Sequence, residues 1–256
     1  MKQGIFITGA SSGIGEALAV YYAGKGAVLG LAARRTDALA ALNERLGGGH
    51  ACYPLDVTDA AALHDAAQDF IARFGVPEIV LASAGVSAGT LTEHAEDLAA
   101  FRRLMDINVY GMAATFAPFI PAMKAAGGFR RLVGLASVAG IRGLPGAEAY
   151  SASKAATIAY LESLRLEMRA CGIKVVTIAP GYIETPMTAV NPYRMPFLLP
   201  AEEAARRFAA AIETGNSYTV IPWQMGVLAK LLRVLPNAVY DRLFAGAPRK
   251  PRGLLK

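Results

Sequence analysis

Short apolar runs alternate with longer amphipathic stretches along most of this chain. Seven runs, KQGIFIT, AVLGLAA, HACYPL, EIVLAS, RLVGLAS, IKVVTIA and SYTVIP, read as strands buried on both faces. Helical patterns fall between them, at about 13–25, 36–46, 59–74, 97–125, 150–171 and 201–214. Strict strand–helix alternation predicts parallel pairing with right-handed crossovers, hence an α/β, doubly wound parallel sheet with helices on both faces. No internal repeat or low-complexity linker divides residues 1–222, so one catalytic-sized domain is expected there. Pro186, Pro192, Pro196 and Pro200 predict an irregular loop over 182–200. It follows a strand end, where open α/β sheets bind ligands, and predicts a lid over about 182–214. Residues 223–256 form a separate extension.

Composition narrows the picture. Hydrophobic residues make up 54% of 256, yet no run of eighteen apolar residues occurs, and Asp106, Asn108, Pro118 and Pro121 break the richest stretch. A membrane span is therefore not expected. The opening MKQGIFIT runs into a glycine-rich turn and is too short for a secretory signal. Cys52 and Cys171 are isolated, which suits reduced thiols and a cytoplasmic location. His50, His64 and His94 form no spaced cluster, so no metal site is expected. The net charge of +6 lies wholly in the extension: residues 1–222 hold nineteen basic and nineteen acidic side chains, and 223–256 hold seven and one. Without interleaved aromatic and basic residues, that excess does not predict nucleic-acid binding.

Candidate chemistry sits in two places. Gly9, Gly13 and Gly15 follow the first strand and open a helix, in TGASSGIG. Their spacing, Gly-x-x-x-Gly-x-Gly, permits a tight turn and close backbone approach, with helix N–H groups aimed at a pyrophosphate. At the end of the second strand, Arg34 and Arg35 stand where an NAD site would place an acid. Guanidinium groups there would stabilise a 2′-phosphate, so NADP(H) is the expected cofactor; the alternative is two solvated arginines. Asp56 and Val57 end the third strand, where a carboxylate could accept from an adenine amine; helix capping, better suited to Thr58 or Asp59, is the alternative. Tyr150 and Lys154 stand four apart in AYSASKAA, on one helix face, with Ser137 thirteen residues upstream of Tyr150. Such a pair alone is ordinary helix surface. Beside a nucleotide site, a phenol, an ammonium and a hydroxyl can move a proton to or from an alcohol oxygen. The phenol starts near a pKa of about 10, and a cation at ~4 Å, in an effective dielectric near 20, would lower it by the roughly 3 units that neutral catalysis needs.

In order and spacing, Thr8–Gly15, Asp56, Ala82–Gly85, Asn108, Ser137, Tyr150, Lys154 and Pro180-Gly181 resemble the short-chain dehydrogenase/reductase family, over about residues 3–222. The resemblance implies a Rossmann-type sheet of about seven strands and hydride transfer between a nicotinamide cofactor and a carbonyl or alcohol. It implies that Tyr150 is the general acid in reduction and that Lys154 tunes it and holds the nicotinamide ribose. Ser137 would hydrogen-bond the substrate oxygen, and Asn108 would support Lys154 through a water. The implied cofactor contacts are Gly9, Ser11, Ser12, Gly13, Ile14, Gly15, Arg34, Arg35, Asp56 and Val57, then Ser83, Ala84, Gly85, Tyr150, Lys154, Pro180, Gly181, Ile183 and Thr185. One departure stands out. The family's Asn-Asn-Ala-Gly is Ala82-Ser83-Ala84-Gly85 here, so the bracing that the first Asn supplies must come from another group.

Substrate signals lie late in the chain. The lid carries Tyr193, Met195, Phe197, Leu198 and Leu199 with one charge, Arg194, which suits an apolar ketone, a keto-lipid or steroid-like compound, or simply a packed lid. From Trp223, an apolar stripe of Val227, Leu228, Leu231, Leu232 and Leu235 is flanked by Lys230 and Arg233; Pro236 then breaks the helix before a second piece with Val239, Leu243 and Phe244. Basic amphipathic helices can lie in a membrane interface, so peripheral membrane contact is one expectation. A tail that covers the substrate cleft or makes a subunit contact is the other. The family's frequent dimers and tetramers imply a homo-oligomer through the 97–125 and 150–171 helices, where small residues in 152–159 permit close packing. Alternatives of the same fold are an NADP-dependent alcohol or sugar dehydrogenase and a 3-oxoacyl-thioester reductase. A non-enzymatic nucleotide sensor would be expected to lack Ser137, Tyr150 or Lys154.

Overall fold

The computed structural model describes residues 2–254; Lys256, counted above in the basic extension, lies outside them. Seven strands form one parallel sheet: β1 (Gly4–Thr8), β2 (Val28–Ala33), β3 (Ala51–Pro54), β4 (Ile79–Ala82), β5 (Arg131–Leu135), β6 (Lys174–Pro180) and β7 (Tyr218–Ile221). Their spatial order is β3-β2-β1-β4-β5-β6-β7. The period of two along each strand divides the core. Ile5 and Ile7 of β1 join Leu81, Val133 and Ile178 on one face, while Phe6 joins Val80, Leu132 and Val175 on the other. Both faces are covered, which is why the strands read as unbroken apolar runs. The edge strands β3 and β7 are only partly buried, because each has a neighbour on one side.

On the first face lie α1 (Gly13–Gly24), α2 (Thr36–Arg45) and α9 (Ala201–Thr214), which contribute Leu18, Tyr22, Leu39 and Phe208. On the second lie α3 (Ala60–Phe74) and α7 (Glu148–Met168), with Phe70, Leu161 and Met168. Asp59 caps α3 by accepting from the Ala62 N–H at 3.0 Å, so the cap is Asp59 and not Asp56.

The single helix expected over 97–125 is three. They are α4 (Asp97–Met105), α5 (Gly111–Phe116) and α6 (Ile120–Ala126), and a π-helical turn, Asp106–Tyr110, joins the first two. Pro118 and Pro121 lack an N–H, and Pro121 is tolerated only because it falls in the first turn of α6. The π turn inserts an extra residue and directs Asn108 inward. The 182–200 loop is also less irregular than its prolines suggest. It holds a short helix, α8 (Pro186–Ala189), whose capping box is made by Thr185 and Thr188. Its two ends are tied together, since Leu199 N–H donates to Tyr182 O at 3.0 Å and Glu184 N–H to Leu199 O at 2.9 Å. α9 belongs to the core, so the segment free to lie over the cleft is 182–200.

The extension forms α10 (Trp223–Val234) and α11 (Asn237–Phe244). Met225, Gly226 and Ala229 bury one side of α10 against the domain, and Tyr240 anchors α11 by donating to Gly143 O at 2.6 Å. Among the described residues no helix is long and apolar enough to cross a membrane.

Candidate active site

The β1 and β4 strands pair side by side, while β2 lies on the opposite flank of β1, so the direction in which successive strands are laid across the sheet reverses there. Loops leaving the carboxyl ends of β1 and β4 diverge at such a point and leave a crevice. A cavity of about 440 Å3 occupies it. The turn Gly9 to Gly15 forms its floor, with Ser11, Ser12, Gly13 and Ile14 all at the surface of the cavity. Gly9 has φ of 70°, and a Cβ on Gly15 would come within 2.5 Å of Ser83 Oγ, so neither position accepts a side chain without rearrangement.

Ser83 answers the question raised by Ala82. Its hydroxyl donates to Thr8 O at 2.7 Å and so ties the end of β1 to the end of β4, directly under the turn. Arg34 and Arg35 both line the cavity but are used differently. Arg35 donates to Ser11 O at 2.9 Å and to Ser11 Oγ at 3.2 Å, which holds the glycine turn in place. Arg34 makes no such bond and contributes its charge, which acts on Asp56. Partial burial works to raise the Asp56 carboxyl, but the Thr58 N–H and hydroxyl, at 2.9 and 2.8 Å, together with Arg34 and Arg103, hold it below the usual range. Val57, Ser83, Ala84 and Gly85 line the cavity beside Asp56, and Thr185 to Met187 of the lid close its far side. Pro180, Gly181 and Ile183 do not line it. Pro180 ends β6, Ile183 is buried in the core, and the Gly181 N–H donates to Ile221 O at 2.9 Å. The glycine floor and the cationic rim of this cavity suit a dinucleotide: N–H groups of α1 for a pyrophosphate and guanidinium charge for a phosphate.

Ser137, Tyr150, Lys154 and Asn108 meet beyond Leu135 and Ile107, which mark the inner end of that cavity. Ser137 lies two residues beyond β5, in extended conformation, and shares a hydrogen bond with the Tyr150 hydroxyl. Lys154, one helical turn on, is buried, and its Nζ donates to Leu135 O at 2.8 Å. Asn108 is fully buried. Its Oδ1 accepts from the Val86 N–H at 2.8 Å, and its Nδ2 donates to Val86 O and Ser153 Oγ, each at 3.0 Å. Ser153 in turn donates to Tyr150 O at 2.8 Å. The amide therefore fixes the loop after β4 to the second turn of α7, and Gly85 lies against both Asn108 and Lys154: a Cβ there would stand 3.3 Å from Asn108 Oδ1 and 3.7 Å from Lys154 Nζ.

The electrostatics differ from the sequence expectation. Burial pushes the Tyr150 phenol above its ordinary value, and the Ser137 hydrogen bond offsets this only in part. Burial also pushes Lys154 down to about 8. Its Nζ stands 5.9 Å from the Tyr150 ring centroid and is directed at a carbonyl, so the expected lowering of the phenol by a cation at contact distance does not arise in this geometry. A phenol in this setting keeps its proton at neutral pH and is arranged to give it to an acceptor.

The sequence names Ser83 as a cofactor contact but does not reveal its brace to Thr8 O. Ser153 carries no signal beyond being small and polar, although it lies three residues after Tyr150 on the same helix. Tyr193 was assigned to the lid alone, yet its ring meets Tyr182 at 6.4 Å, and burial together with the nearby Tyr182 and Tyr150 phenols pushes it up to about 12.

Comparison with known proteins agrees with this geometry. The family model for short chain dehydrogenase matches residues 3–194. An uncharacterized oxidoreductase of Myxococcus xanthus is 38% identical over 240 residues, covering 92% of this chain and 93% of the relative. The 11-beta-hydroxysteroid dehydrogenase-like 3 of Arabidopsis thaliana is 33% identical, covering 93% of this chain and 79% of the relative. Among solved structures, a short chain dehydrogenase from Burkholderia cenocepacia in complex with NADP superposes with a TM-score of 0.81 at 25% identity, covering 94% of this chain and 97% of that one. With its Rossmann-type sheet, nucleotide crevice and serine–tyrosine–lysine cluster, this chain belongs to the short-chain dehydrogenase/reductase family, oxidoreductases that act on CH–OH groups with a nicotinamide cofactor.

Proposed function

We propose that the protein is an NADPH-dependent reductase that interconverts a ketone or aldehyde with an alcohol, on a substrate with an apolar body. The observation that carries this reading is the Ser137–Tyr150 hydrogen bond on a phenol whose pKa burial has raised. In reduction, Ser137 and Tyr150 hold the carbonyl oxygen, and Tyr150 donates the proton that this oxygen needs as negative charge develops on it. A nicotinamide dinucleotide supplies the hydride when bound. Lys154 would hold the ribose of a bound cofactor and stabilise the phenolate left as Tyr150 gives up its proton, and Asn108 keeps the loop of Gly85 and Val86 against that cation. Arg34 favours a 2′-phosphate because, among the described residues, its guanidinium has no competing hydrogen-bond partner, whereas Arg35 is committed to Ser11.

Support for an apolar substrate comes from the lid, where Met187, Val190, Phe197 and Leu198 are exposed around the cleft. The similarity to a hydroxysteroid dehydrogenase-like protein points the same way. Leu98, Phe101 and Leu166 are exposed on α4 and α7 and favour a homo-oligomer through those helices. On α10, Trp223, Val227, Leu231 and Val234 form an exposed apolar stripe beside Lys230, and Arg233 and Arg242 add charge; this face suits the surface of an anionic membrane.

The test is a Tyr150→Phe variant assayed by NADPH oxidation against ketones graded from short and polar to long-chain. We expect turnover to fall by at least about 10²-fold, the scale of a lost general acid, with NADPH affinity retained. Undiminished turnover in that variant would refute the assignment. An Arg34→Ala variant should lose NADPH affinity by about tenfold more than NADH affinity, as expected for one charge-assisted contact. Equal losses would remove the 2′-phosphate role.

A further inference from the structure

The last described residues form a strap. After α11 the chain returns across the three segments that border Tyr150. The Gly89 N–H, in the loop after β4, donates to Pro251 O at 2.9 Å, and a Cβ on Gly89 would collide with the Lys250 carbonyl group. The stem of Arg249 lies on Gly146, where a Cβ would come within 2.8 Å of its Cβ and Cγ; Gly146 stands four residues before Tyr150. Lys250 Nζ reaches α8 in the lid and donates to Met187 O at 3.1 Å. The end of the strap is pinned by Arg252, which donates to Asp97 Oδ2 at 2.7 Å and Glu96 Oε1 at 2.9 Å. Asp97 also accepts from the Leu91 N–H at 2.8 Å, so the same ion pair holds the loop that Gly89 belongs to.

Two cations of this strap differ in their provision. Arg252 has two carboxylates. Lys250 is half-buried, has three donors, and among the described residues makes one hydrogen bond, to a neutral carbonyl. Burial pushes it down to about 8, and among the described residues no acid holds it up. A partly desolvated ammonium without an anion is unfavourable by itself, and an anionic ligand beside it removes that penalty. Its hydrogen bond to Met187 O sets it beside a lid residue that lines the cavity.

We propose that Lys250 is a specificity-determining residue. Its ammonium, held beside Met187 of the lid by the strap, pairs with a carboxylate or phosphate on the substrate. The preferred ketone is then an amphiphile, with an apolar body under the lid and an anionic end at the strap. This deepens the reductase reading above and rests on it for the word ketone; the anion site itself does not depend on turnover.

The experiment has two arms on the full chain. In the first, ketones of equal length ending in a carboxylate, a phosphate monoester or a methyl ester are compared by NADPH oxidation. We expect a KM at least about tenfold lower for one or both anionic ketones, the two together telling which anion is preferred. Lys250→Met should bring the ratio of anionic to neutral KM to about one, and Lys250→Arg should restore it. Equal KM values in the wild type, or an advantage that survives in Lys250→Met, overturns the proposal. In the second arm, calorimetry on the protein with NADP+ compares decanoate, decyl phosphate and decanol. Tighter binding of an anion, lost in Lys250→Met, supports the site even where no ketone is reduced, a result that would refute the reductase reading alone. Decanol binding as tightly as both anions refutes the Lys250 site.

Discussion

Lys154 shows how a residue can be legible in a sequence while its chemistry is not. Its spacing from Tyr150 announces the pair, but the surroundings that decide both pKa values come from β5, the π turn and the loop after β4, far away in the chain. Desolvation by those elements outweighs the local attraction that spacing suggests. For stability the sign follows directly. The unfolded chain holds the Lys154 proton up to its ordinary 10.5, while the folded chain releases it from about 8. Between those values the unfolded state binds more protons, so this group makes stability rise with pH. The full contribution is about 3 kcal/mol at ~1.4 kcal/mol per unit. The wild type should therefore gain on a Lys154→Met variant as pH increases from about 8 to 10, read as the difference in midpoint of denaturant unfolding. The difference between the two proteins cancels Lys250, which is also pushed down to about 8, and the raised phenols. A gap independent of pH would show that the ammonium is solvated.

At the scale of elements, most of the fold was visible because strands and helices announce themselves by local periodicity. Boundaries agree within a few residues for β1, β2, β4, β5, β6, α1, α3 and α9. The long helix over 97–125 failed because apolar periodicity continues through a π turn and across two prolines, and only packing reveals that Asn108 faces inward. The brace between β1 and β4 was also hidden, because a serine next to the expected position carries no signal of which carbonyl it will meet. That brace makes a prediction about the turn. Ser83→Ala removes one part-buried hydrogen bond and should cost about 1 kcal/mol, or roughly 2–4 °C in Tm for a chain of this size. Gly15→Ala is more severe: its Cβ would press on Ser83 Oγ at 2.5 Å and on Gly9 C at 2.8 Å, so the turn must open. NADPH titration by fluorescence should show binding lost in Gly15→Ala and only weakened in Ser83→Ala. Normal affinity in Gly15→Ala would mean that the turn does not cradle the dinucleotide.

For the whole molecule, the extension from Trp223 divides into two parts. Its last described residues pack on the loop after β4, on Gly146 and on Met187 of the lid, whereas α10 leaves much of its apolar stripe in solvent. Leu232 and Leu235, placed on the stripe by periodicity, are partly buried, and Trp223 and Val234, at 66% and 78% exposed, extend it instead. The shift arises because Met225, Gly226 and Ala229 take the side that faces the domain, a choice that depends on tertiary contact. Arg142 fixes the orientation by donating to the carbonyls of Leu232 at 2.6 Å and Leu235 at 2.9 Å. The exposed face thus stays in one place relative to the cleft, as a docking surface for a lipophilic substrate's own membrane would require. Wild-type protein should co-sediment with anionic vesicles at low salt and release as ionic strength rises, since each basic residue near such a surface contributes ~1 kcal/mol. Val234→Glu with Leu231→Glu should abolish the binding by setting two carboxylates against the headgroups, while the mainly buried side of α10 is untouched. Zwitterionic vesicles should bind far less. Absence of wild-type binding to anionic vesicles at low salt would assign the stripe to a subunit contact, and light scattering on the double variant would then register a smaller assembly.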